Sequence, residues 1–475
     1  MITLRRIVLI LLLFGIAAES TWAQRVSQQR AADVPGVWYQ GRFFGYAPQT
    51  RRGDRSQRFE REPDTGRELH NAPRHDTAIE LATYHDDDEL IDETPDDYPI
   101  EYGGEWQSEW ERGPRHGGPA DGEESLVWGE AEYLLWWTRG MSTPPLATTS
   151  LNGTIQDQAG ILGLPGTTIL SGGTRLLDDS RSGGRFTLGV WLDDYHDRAV
   201  EVTYLTLEED GSTFVGSDAD RSILARPFTD IQGGTSDARL IVYPGLVDGL
   251  LSTETETRFQ TLDIFYRRVI RRWSGSRLDL VLGYRYANLD DLLLVSESTR
   301  SLSGATQGAT IDLFDRFDTE NRFNGGTIGV KFLKQSYGCW SLEGVANVAL
   351  GSTRSKARVT GETITTTALG DSATTPNGLL TQQTNIGSYG RSKFSTVSEF
   401  GVSLRRNFTD HLSARVGYTF LFWTNVMRAG EQVDLDLNPS QIPPGTLDGP
   451  PRPAFPFATT NFWAQGLNFG LEYQY

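Results

Sequence analysis

The sequence has a single cysteine, Cys339, which excludes an intrachain disulfide and leaves nothing that resembles a thiolate metal site. Beyond residue 23 it has no apolar run of about 18 residues, so we expect no membrane-spanning helix. Basic residues are outnumbered, since 44 Lys and Arg face 62 Asp and Glu, for a formal net charge of −18. A basic surface for nucleic acid is absent, and we predict that nucleic acid is not a partner.

Sequence motifs that are typical of catalytic sites are also missing. The sequence contains neither Gly-x-Ser-x-Gly nor His-Glu-x-x-His. Of six histidines, only His196 and His411 follow residue 126, and both lie in predicted short turns. We therefore predict no enzyme, no catalytic residue, no cofactor and no metal site. The many acids leave Ca²⁺ binding as an alternative, but no EF-hand spacing is present, and solvated charge is the simpler interpretation.

Residues 1–23 have the pattern of a secretory signal peptide. Two arginines precede a twelve-residue apolar stretch, 7–18, and the tripeptide that ends at Ala23 fits a small-x-small cleavage site. Cleavage is predicted between Ala23 and Gln24. A short membrane anchor is the alternative, but twelve residues are too few to cross a bilayer as a helix.

Residues 24–125 differ in composition from the rest of the sequence. They are rich in Arg, Asp, Glu, Pro and Gly, and an acidic stretch begins at Asp86. Such a composition cannot bury enough apolar area to offset the loss of chain entropy. We predict an acidic, mostly disordered periplasmic segment that serves as a tether. The segment also contains aromatic residues such as Trp38 and Trp106, so docking on an envelope or surface partner is the alternative to a simple tether.

From Leu126 onward, apolar and polar residues alternate with a period of two. In the clearest stretch, 278–286, every second residue is Leu or Tyr, and 467–475 repeats the pattern. Successive side chains of a strand point to opposite faces, so one face is apolar and the other polar or small. Many of these segments reach the length of a membrane strand, about 9–11 residues. Ten segments are predicted as strands: 128–137, 184–192, 198–208, 256–270, 277–288, 320–333, 339–352, 394–408, 412–424 and 462–475.

The connections between these segments alternate in length. The short ones are 193–197, 271–276, 334–338 and 409–411, and the long ones are 138–183, 209–255, 289–319, 353–393 and 425–461. Outer-membrane barrels have short periplasmic turns and long outward loops. In hydrocarbon, only a closed sheet leaves no unpaired backbone edge.

We therefore predict an all-β fold for residues 126–475. It is a closed antiparallel transmembrane up-and-down β-barrel of about ten strands, located in the outer membrane of a double-membraned bacterium. Twelve strands are the alternative, because part of 353–393 or 209–255 could form another hairpin.

If the apolar faces meet lipid, the polar faces line the lumen. The lumen then receives eight acidic and six basic side chains. Such a nearly balanced set predicts cross-strand ion pairs, because an unpaired buried charge costs several kcal/mol. Ten strands lie nearer to filled eight-stranded barrels than to water-filled sixteen-stranded ones, so we expect a narrow or gated lumen. The predicted lumen-facing charges are Glu130, Glu132, Arg185, Glu201, Asp263, Arg267, Asp279, Arg285, Lys331, Glu343, Glu399, Arg405, Arg415 and Glu472.

Aromatic residues are frequent near the ends of the predicted strands. They suit the interfacial girdles of a membrane barrel, although each could equally be a packed core residue. These residues are Trp136, Trp137, Tyr284, Tyr286, Phe420, Phe422, Trp423, Tyr473 and Tyr475.

Several ordered stretches carry a family resemblance. They are Ala131–Trp137 followed by Pro144-Pro145-Leu146, then Leu282–Tyr286, Asn321–Gly326, Val348–Gly351, Val416–Phe420, Asn425–Gly430 and Phe462–Leu467. In this order they resemble beta-barrel porin family seven, barrel proteins of planctomycete-like bacteria. Residues 24–125 fall outside the resemblance, and Ala429 stands where the family often has proline.

The resemblance implies an outer-membrane barrel whose family has no established substrate. It also implies a C-terminal signal for the barrel-assembly machinery, formed by Phe469, Leu471, Tyr473 and Tyr475. The expected partners are this machinery and outer-membrane lipid, with the oligomeric state left open. The expected function is that of a porin or narrow channel of unknown solute. The alternative is a non-conducting surface scaffold or binding protein that acts through its long extracellular loops.

Overall fold

The computed structural model describes residues 126–336, 338–442 and 445–475. The predicted signal peptide, its cleavage site between Ala23 and Gln24, and the acidic segment 24–125 lie outside the described residues. Within them, no helix is long and apolar enough to cross a membrane.

Ten antiparallel strands form a closed ring. In chain order they are β1 (Val127–Thr138), β2 (Ser180–Trp191), β3 (Arg198–Leu207), β4 (Val247–Trp273), β5 (Ser276–Ser301), β6 (Thr310–Gln335), β7 (Trp340–Thr366), β8 (Gly387–Asn407), β9 (Leu412–Val426) and β10 (Thr460–Gln474). Each strand pairs with its neighbours in sequence, and β1 also pairs with β10. The predicted all-β, up-and-down barrel of ten strands is confirmed.

The connections alternate in length as predicted. Residues 192–197, 274–275, 336–339 and 408–411 form the short connections at one end of the barrel, where the ring also begins and ends. The other end carries 139–179, 208–246, 302–309, 367–386 and 427–459. The predicted connections 289–319 and 353–393 are wrong in extent, because more than half of the first belongs to β5 and β6 and more than half of the second to β7 and β8.

Strands β4 to β7 are 27, 26, 26 and 27 residues long, far more than a bilayer requires. Their amphipathic pattern inverts part-way along. On β5, the even-numbered Leu282 and Tyr284 point outward, whereas the odd-numbered Leu289, Leu293 and Val295 are buried inside. The outer parts therefore form an extension with an apolar interior, as in a soluble protein. The membrane-strand pattern has its apolar residues at outward positions, so this pattern does not identify the extension in the sequence.

The long connections carry smaller elements. Asp210–Ser217 pairs with the outer part of β4, and Ser372–Thr375 pairs with β7. Asp210–Ser217 continues outward from the end of β3 along β4, and Ser372–Thr375 pairs with β7 beyond the end of β8, so neither adds a strand to the ring of ten. A five-stranded loop sheet contains Ala147–Thr149, Thr168–Ser171, Leu224–Asp230, Thr235–Val242 and Asp436–Leu437. The remaining elements are the paired strands Met141–Ser142 and Arg175–Leu176 and the 3-10 helices Gln156–Gln158, Ala429–Gln432 and Pro439–Gln441.

Candidate functional site

The outer surface of the ring carries a continuous set of exposed apolar side chains, the outward apolar band. On β5 the band runs from Leu278 to Tyr286, which is the length of a transmembrane strand. Its most exposed members are Tyr133, Phe186, Leu188, Tyr204, Leu262, Ile264, Tyr266, Leu282, Tyr284, Ile328, Val330, Leu342, Leu350, Phe400, Val402, Leu404, Val416, Tyr418, Leu467, Phe469, Leu471 and Tyr473. Three residues predicted as the assembly signal, Phe469, Leu471 and Tyr473, belong to this band, and Tyr475 is also exposed.

The opposite face of the same strands is charged. The structure places all fourteen predicted lumen-facing charges inside the barrel, and each of them makes at least one ion pair there. These pairs form three connected chains. Buried ions tolerate desolvation only where they are paired with good geometry, so the chains account for the presence of charge in this interior.

The first chain crosses the lumen. Arg285 on β5 binds Asp263 on β4, with Nη2 2.9 Å from Oδ2, and also binds Glu399 on β8. From β2, Arg185 reaches the same Glu399 at 3.3 Å and Glu132 on β1 at 3.2 Å. Since β2, β5 and β8 are not neighbours in the ring, their side chains meet only because the lumen is narrow.

The second chain is centred on Glu343 of β7, whose side chain is 2% exposed. Its carboxylate binds Lys331 at 3.2 Å, Arg405 at 3.5 Å and also Arg415. The chain extends to β1 and β10, because Arg415 binds Glu130 and Arg405 binds Glu472. One carboxylate of β7 thus binds three cations, which lie on β6, β8 and β9.

The third chain lies at the end with the short connections. Arg267 binds Glu201 and lies 3.2 Å from Asp279, which also binds Arg277 at 3.0 Å. The Arg267 guanidinium lies 4.6 Å from the centre of the Trp191 ring. Arg277 is missing from the predicted set, although it lies two residues before Asp279 and therefore on the same face of β5.

An apolar layer closes the lumen next to the ion pairs. Trp136 and Trp423 are fully buried, and their indole N–H groups donate to Asn468 at 2.7 Å and Thr353 at 2.9 Å. The layer also contains Leu134, Leu205, Leu207, Phe259, Ala287, Leu289, Phe323, Ala349, Val397, Leu421, Val426, Phe462 and Ala464. For Trp136 and Trp423 the structure therefore shows the packed core position, which is the alternative that the sequence left open for each of these aromatic residues. Both occupy inward positions of their strands, while Trp137 points outward.

A small cavity lies inside this part of the barrel. It has a volume of about 40 Å³ and lies among the first two ion-pair chains, between Glu132, Arg185, Glu399 and Arg415. One water needs about 10–15 Å³ by this measure, so the cavity has room for a few waters and for nothing larger.

The extension is filled by the long connections, which fold inward. Leu224 and Ile241 of the loop sheet pack against Leu293, Phe317 and Val359 on the inner faces of β5, β6 and β7. This contact buries the apolar interior that the extension would otherwise expose to water. The outer end of the barrel is therefore closed by its own loops.

A buried ionic latch fixes this closure. It consists of Arg226 and Arg239 from the loop sheet, Glu297 on β5 and Asp315 on β6. Arg226 is 1% exposed, binds Glu297 at 2.9 Å and also binds Asp315. Arg239 binds the same Glu297. None of the four latch residues is among the predicted site residues, although Arg226 is a lone charge within the apolar stretch 223–228.

Glu297 of the latch is ionised at neutral pH. Burial raises the pKa of Glu297, but the guanidinium groups of Arg239 and Arg226 lower it more, so this pKa lies below the ordinary value of 4.5. An acid with a depressed pKa in the folded state stabilises the fold above its unfolded pKa. That stabilisation is lost as the pH falls through the folded pKa. We therefore expect the Glu297 contribution to disappear only below pH 4.5.

Arg226→Met is expected to loosen the loop sheet without opening the ring. The change leaves Glu297 and Asp315 buried without one of their cations, at a cost of about 3 kcal/mol. Hydrogen exchange should accelerate in 224–242, with little change in the outward-band part of β5. The control is Arg258→Met, which removes an exposed arginine that is paired with Glu209. Equal exchange in Arg226→Met and the wild type would contradict the latch.

The described residues offer no group of three or more His, Cys, Asp or Glu side chains that could hold a metal ion. His196 and His411 lie in the two short connections that follow β2 and β8. Both are therefore remote from the extension. The absence of an enzyme activity stays a prediction.

Comparison with protein families gives a match over residues 128–475 to Putative beta barrel porin-7 (BBP7). The chain belongs to this family. The match spans the whole ring described above, and it confirms the family resemblance identified from the sequence. An outer-membrane type of barrel is thus supported both by the family and by the closed ring with its outward apolar band.

A comparison with curated proteins gives no match. Among solved structures, the outer-membrane protease OmpT from Escherichia coli is 9% identical, with a TM-score of 0.36, and the match covers 74% of this chain and 97% of that one. A FadL homologue from Pseudomonas aeruginosa is 10% identical, with a TM-score of 0.21 and coverage of 74% and 90%. These low scores carry no argument about the activity of this chain.

Proposed function

We propose that this family member resides in the outer membrane of a double-membraned bacterium as a barrel with a closed lumen. Its short connections face the periplasm, and its extension stands on the cell surface. In this proposal the function is carried by the extension and the loops that fill it, which act as a surface scaffold or binding structure. The barrel itself serves as the membrane anchor.

The observation that carries this proposal is the filled interior. Three ion-pair chains, an apolar layer containing Trp136 and Trp423, and an inward-folded loop sheet follow one another along the barrel axis. A diffusing solute would have to displace buried tryptophans and break several ion pairs. Each broken buried pair costs about 3–5 kcal/mol, which makes free passage through this arrangement negligible.

A gated narrow channel is the second candidate. The description of the family as porins favours it, as does the closure of the outer end by loops that a few buried ion pairs hold in place. Loops can move as units, whereas ring strands cannot. This candidate requires a conformation in which both the loop sheet and the apolar layer rearrange.

Conductance in planar bilayers tests the proposal on the full chain. We expect the wild type to insert without steady conductance. Trp136→Gly combined with Trp423→Gly thins the apolar layer and should give a measurable leak. A heat-modifiability gel on the same samples verifies that both proteins are folded barrels. Steady conductance of the wild type would overturn the closed-lumen proposal, and brief voltage-dependent openings would favour the gated channel instead.

A further inference from the structure

An open groove crosses the outer surface of the extension next to the outward apolar band. Its volume is about 1050 Å³, and it spans β4 to β8. The two sides of the groove differ in charge. The β4–β5 side carries the acids Glu254, Glu256 and Asp290 together with Arg258, which is paired with Glu209, whereas the charged residues of the β7 side are all cations.

We define the basic patch as Arg322 on β6 with Arg354, Lys356 and Arg358 on β7. The three β7 residues alternate along the strand, so they share its outward face, with about 6.8 Å between successive positions. All four side chains are exposed. Arg322 lies directly opposite Arg354 in the β6–β7 ladder. Like charges in this position are destabilising, so the sheet does not gain from placing them there.

The patch is incompletely neutralised by the protein. Glu320 accepts from Arg322 and lies 3.8 Å from Lys356. Asp318, which faces Arg358 across the ladder, is bound bidentately by Arg316. Within the described residues, Arg354 and Arg358 have no ion-pair partner. Two guanidinium groups on one strand are therefore available to an external anion.

The depth of the patch is defined by the strand register. Tyr286, Asn324 and Ser352 form one cross-strand row, and the next row outward contains Arg322 and Arg354. Two residues along a strand span about 6.8 Å. The headgroup region adds roughly 5–7 Å on each side of a hydrocarbon core of about 30 Å. The first cations beyond the band thus lie at headgroup level.

From this geometry we propose that the basic patch binds the phosphate of a lipid headgroup in the outer leaflet. A guanidinium binds phosphate oxygens through two parallel hydrogen bonds, which suits Arg354 and Arg358. The acyl chains of the same lipid lie along Leu350 and Ile328 of the outward apolar band. A lipid satisfies the cations and the adjoining apolar surface together, which a soluble anion does not. This inference rests on the proposed location in a membrane.

Lipid retention measured by native mass spectrometry tests the proposal. The full chain is purified in dodecyl maltoside and titrated with dioleoylphosphatidylglycerol. Dioleoylglycerol serves as the probe that lacks a phosphate, and inorganic phosphate serves as the soluble competitor. The variant is Arg354→Gln combined with Arg358→Gln. Its matched control, Arg300→Gln combined with Arg452→Gln, removes two exposed arginines that are paired with Asp248 and Asp434.

We expect the wild type to retain phosphatidylglycerol in preference to dioleoylglycerol. The Arg354 and Arg358 variant should bind phosphatidylglycerol at least tenfold more weakly, because each basic residue near a membrane surface contributes on the order of a factor of five. The control should stay within twofold of the wild type. Since the changed side chains are exposed, the variant should still fold, which the heat-modifiability gel verifies.

Equal retention by the variant and the wild type would overturn the proposal. Displacement of the lipid by inorganic phosphate at a matching concentration would also overturn it, in favour of a site for soluble anions. Neither outcome affects the conductance test. Conversely, a conducting wild type would refute the closed lumen and leave the lipid site standing, so the two proposals fail separately.

Discussion

Glu343→Gln is expected to lower the free energy of unfolding by about 3–5 kcal/mol, the usual cost of removing one partner from a buried ion pair. The glutamine keeps the size of the side chain but removes the charge that Lys331, Arg405 and Arg415 share. Arg405 and Arg415 retain Glu472 and Glu130, whereas no second ion-pair partner of Lys331 occurs among the described residues. Lys331 should therefore account for much of the loss.

Urea unfolding of the full chain in lipid vesicles measures this effect. Glu362→Gln, the same change on the same strand but in the extension, is the control and should shift stability by less than about 0.5 kcal/mol. Adding Lys331→Met to Glu343→Gln removes one uncompensated cation and should recover part of the loss. If Glu343→Gln and Glu362→Gln unfold at the same urea concentration, the Glu343 carboxylate is solvated and the lumen is wet.

Leu282→Arg is expected to destabilise the barrel by about 2–4 kcal/mol and to reduce the yield of folded protein. Leu282 is at the centre of the β5 part of the outward apolar band, 41% exposed on the surface that we assign to lipid. A guanidinium in this position has to enter hydrocarbon or distort the bilayer. The fraction of heat-modifiable protein and the urea midpoint report the two consequences.

Ser296→Arg provides the control for this change, because Ser296 points outward on the same strand but belongs to the extension. Its side chain should meet water, so we expect little effect. If both arginine variants fold as well as the wild type, the outward apolar band does not contact lipid. If both are equally damaged, the boundary between the membrane part and the extension is misplaced.

The ring was predictable from the sequence because a face suited to lipid and a face turned to a charged interior produce a simple local pattern. Along 278–286, an apolar outer face and a charged or small inner face give a clean alternation of residue types. Beyond Asn288 the two faces exchange character, because the inner face packs against apolar residues of the loops. The period of two continues through Leu289, Leu293 and Val295, but with the opposite assignment of faces. Residues 289–301 of β5 are therefore predicted as loop although they belong to the strand.

The sequence predicts which charged residues face the interior, but it does not predict which of them form ion pairs with one another. Strand alternation identifies Glu399 as inward, but only the curvature of the closed ring brings it to Arg285 and Arg185. The latch is less predictable still. Arg226 and Asp315 are separated by 89 residues and belong to a loop and a strand. No local pattern connects residues whose contact depends on how a long loop folds back into the barrel.

A ring with lipid outside and a packed interior underlies all the proposals above. Spin-label accessibility measures both properties in one experiment. On a Cys339→Ser background, which removes the exposed native thiol, labels are placed at Leu282 and Tyr284 outside and at Val281 and Ala287 inside. In lipid vesicles, we predict high collision rates with oxygen for the outer pair, and low rates with both oxygen and a water-soluble nickel complex for the inner pair. Rapid collisions of the inner labels with the nickel complex would contradict the account, because they would require a water-filled pore.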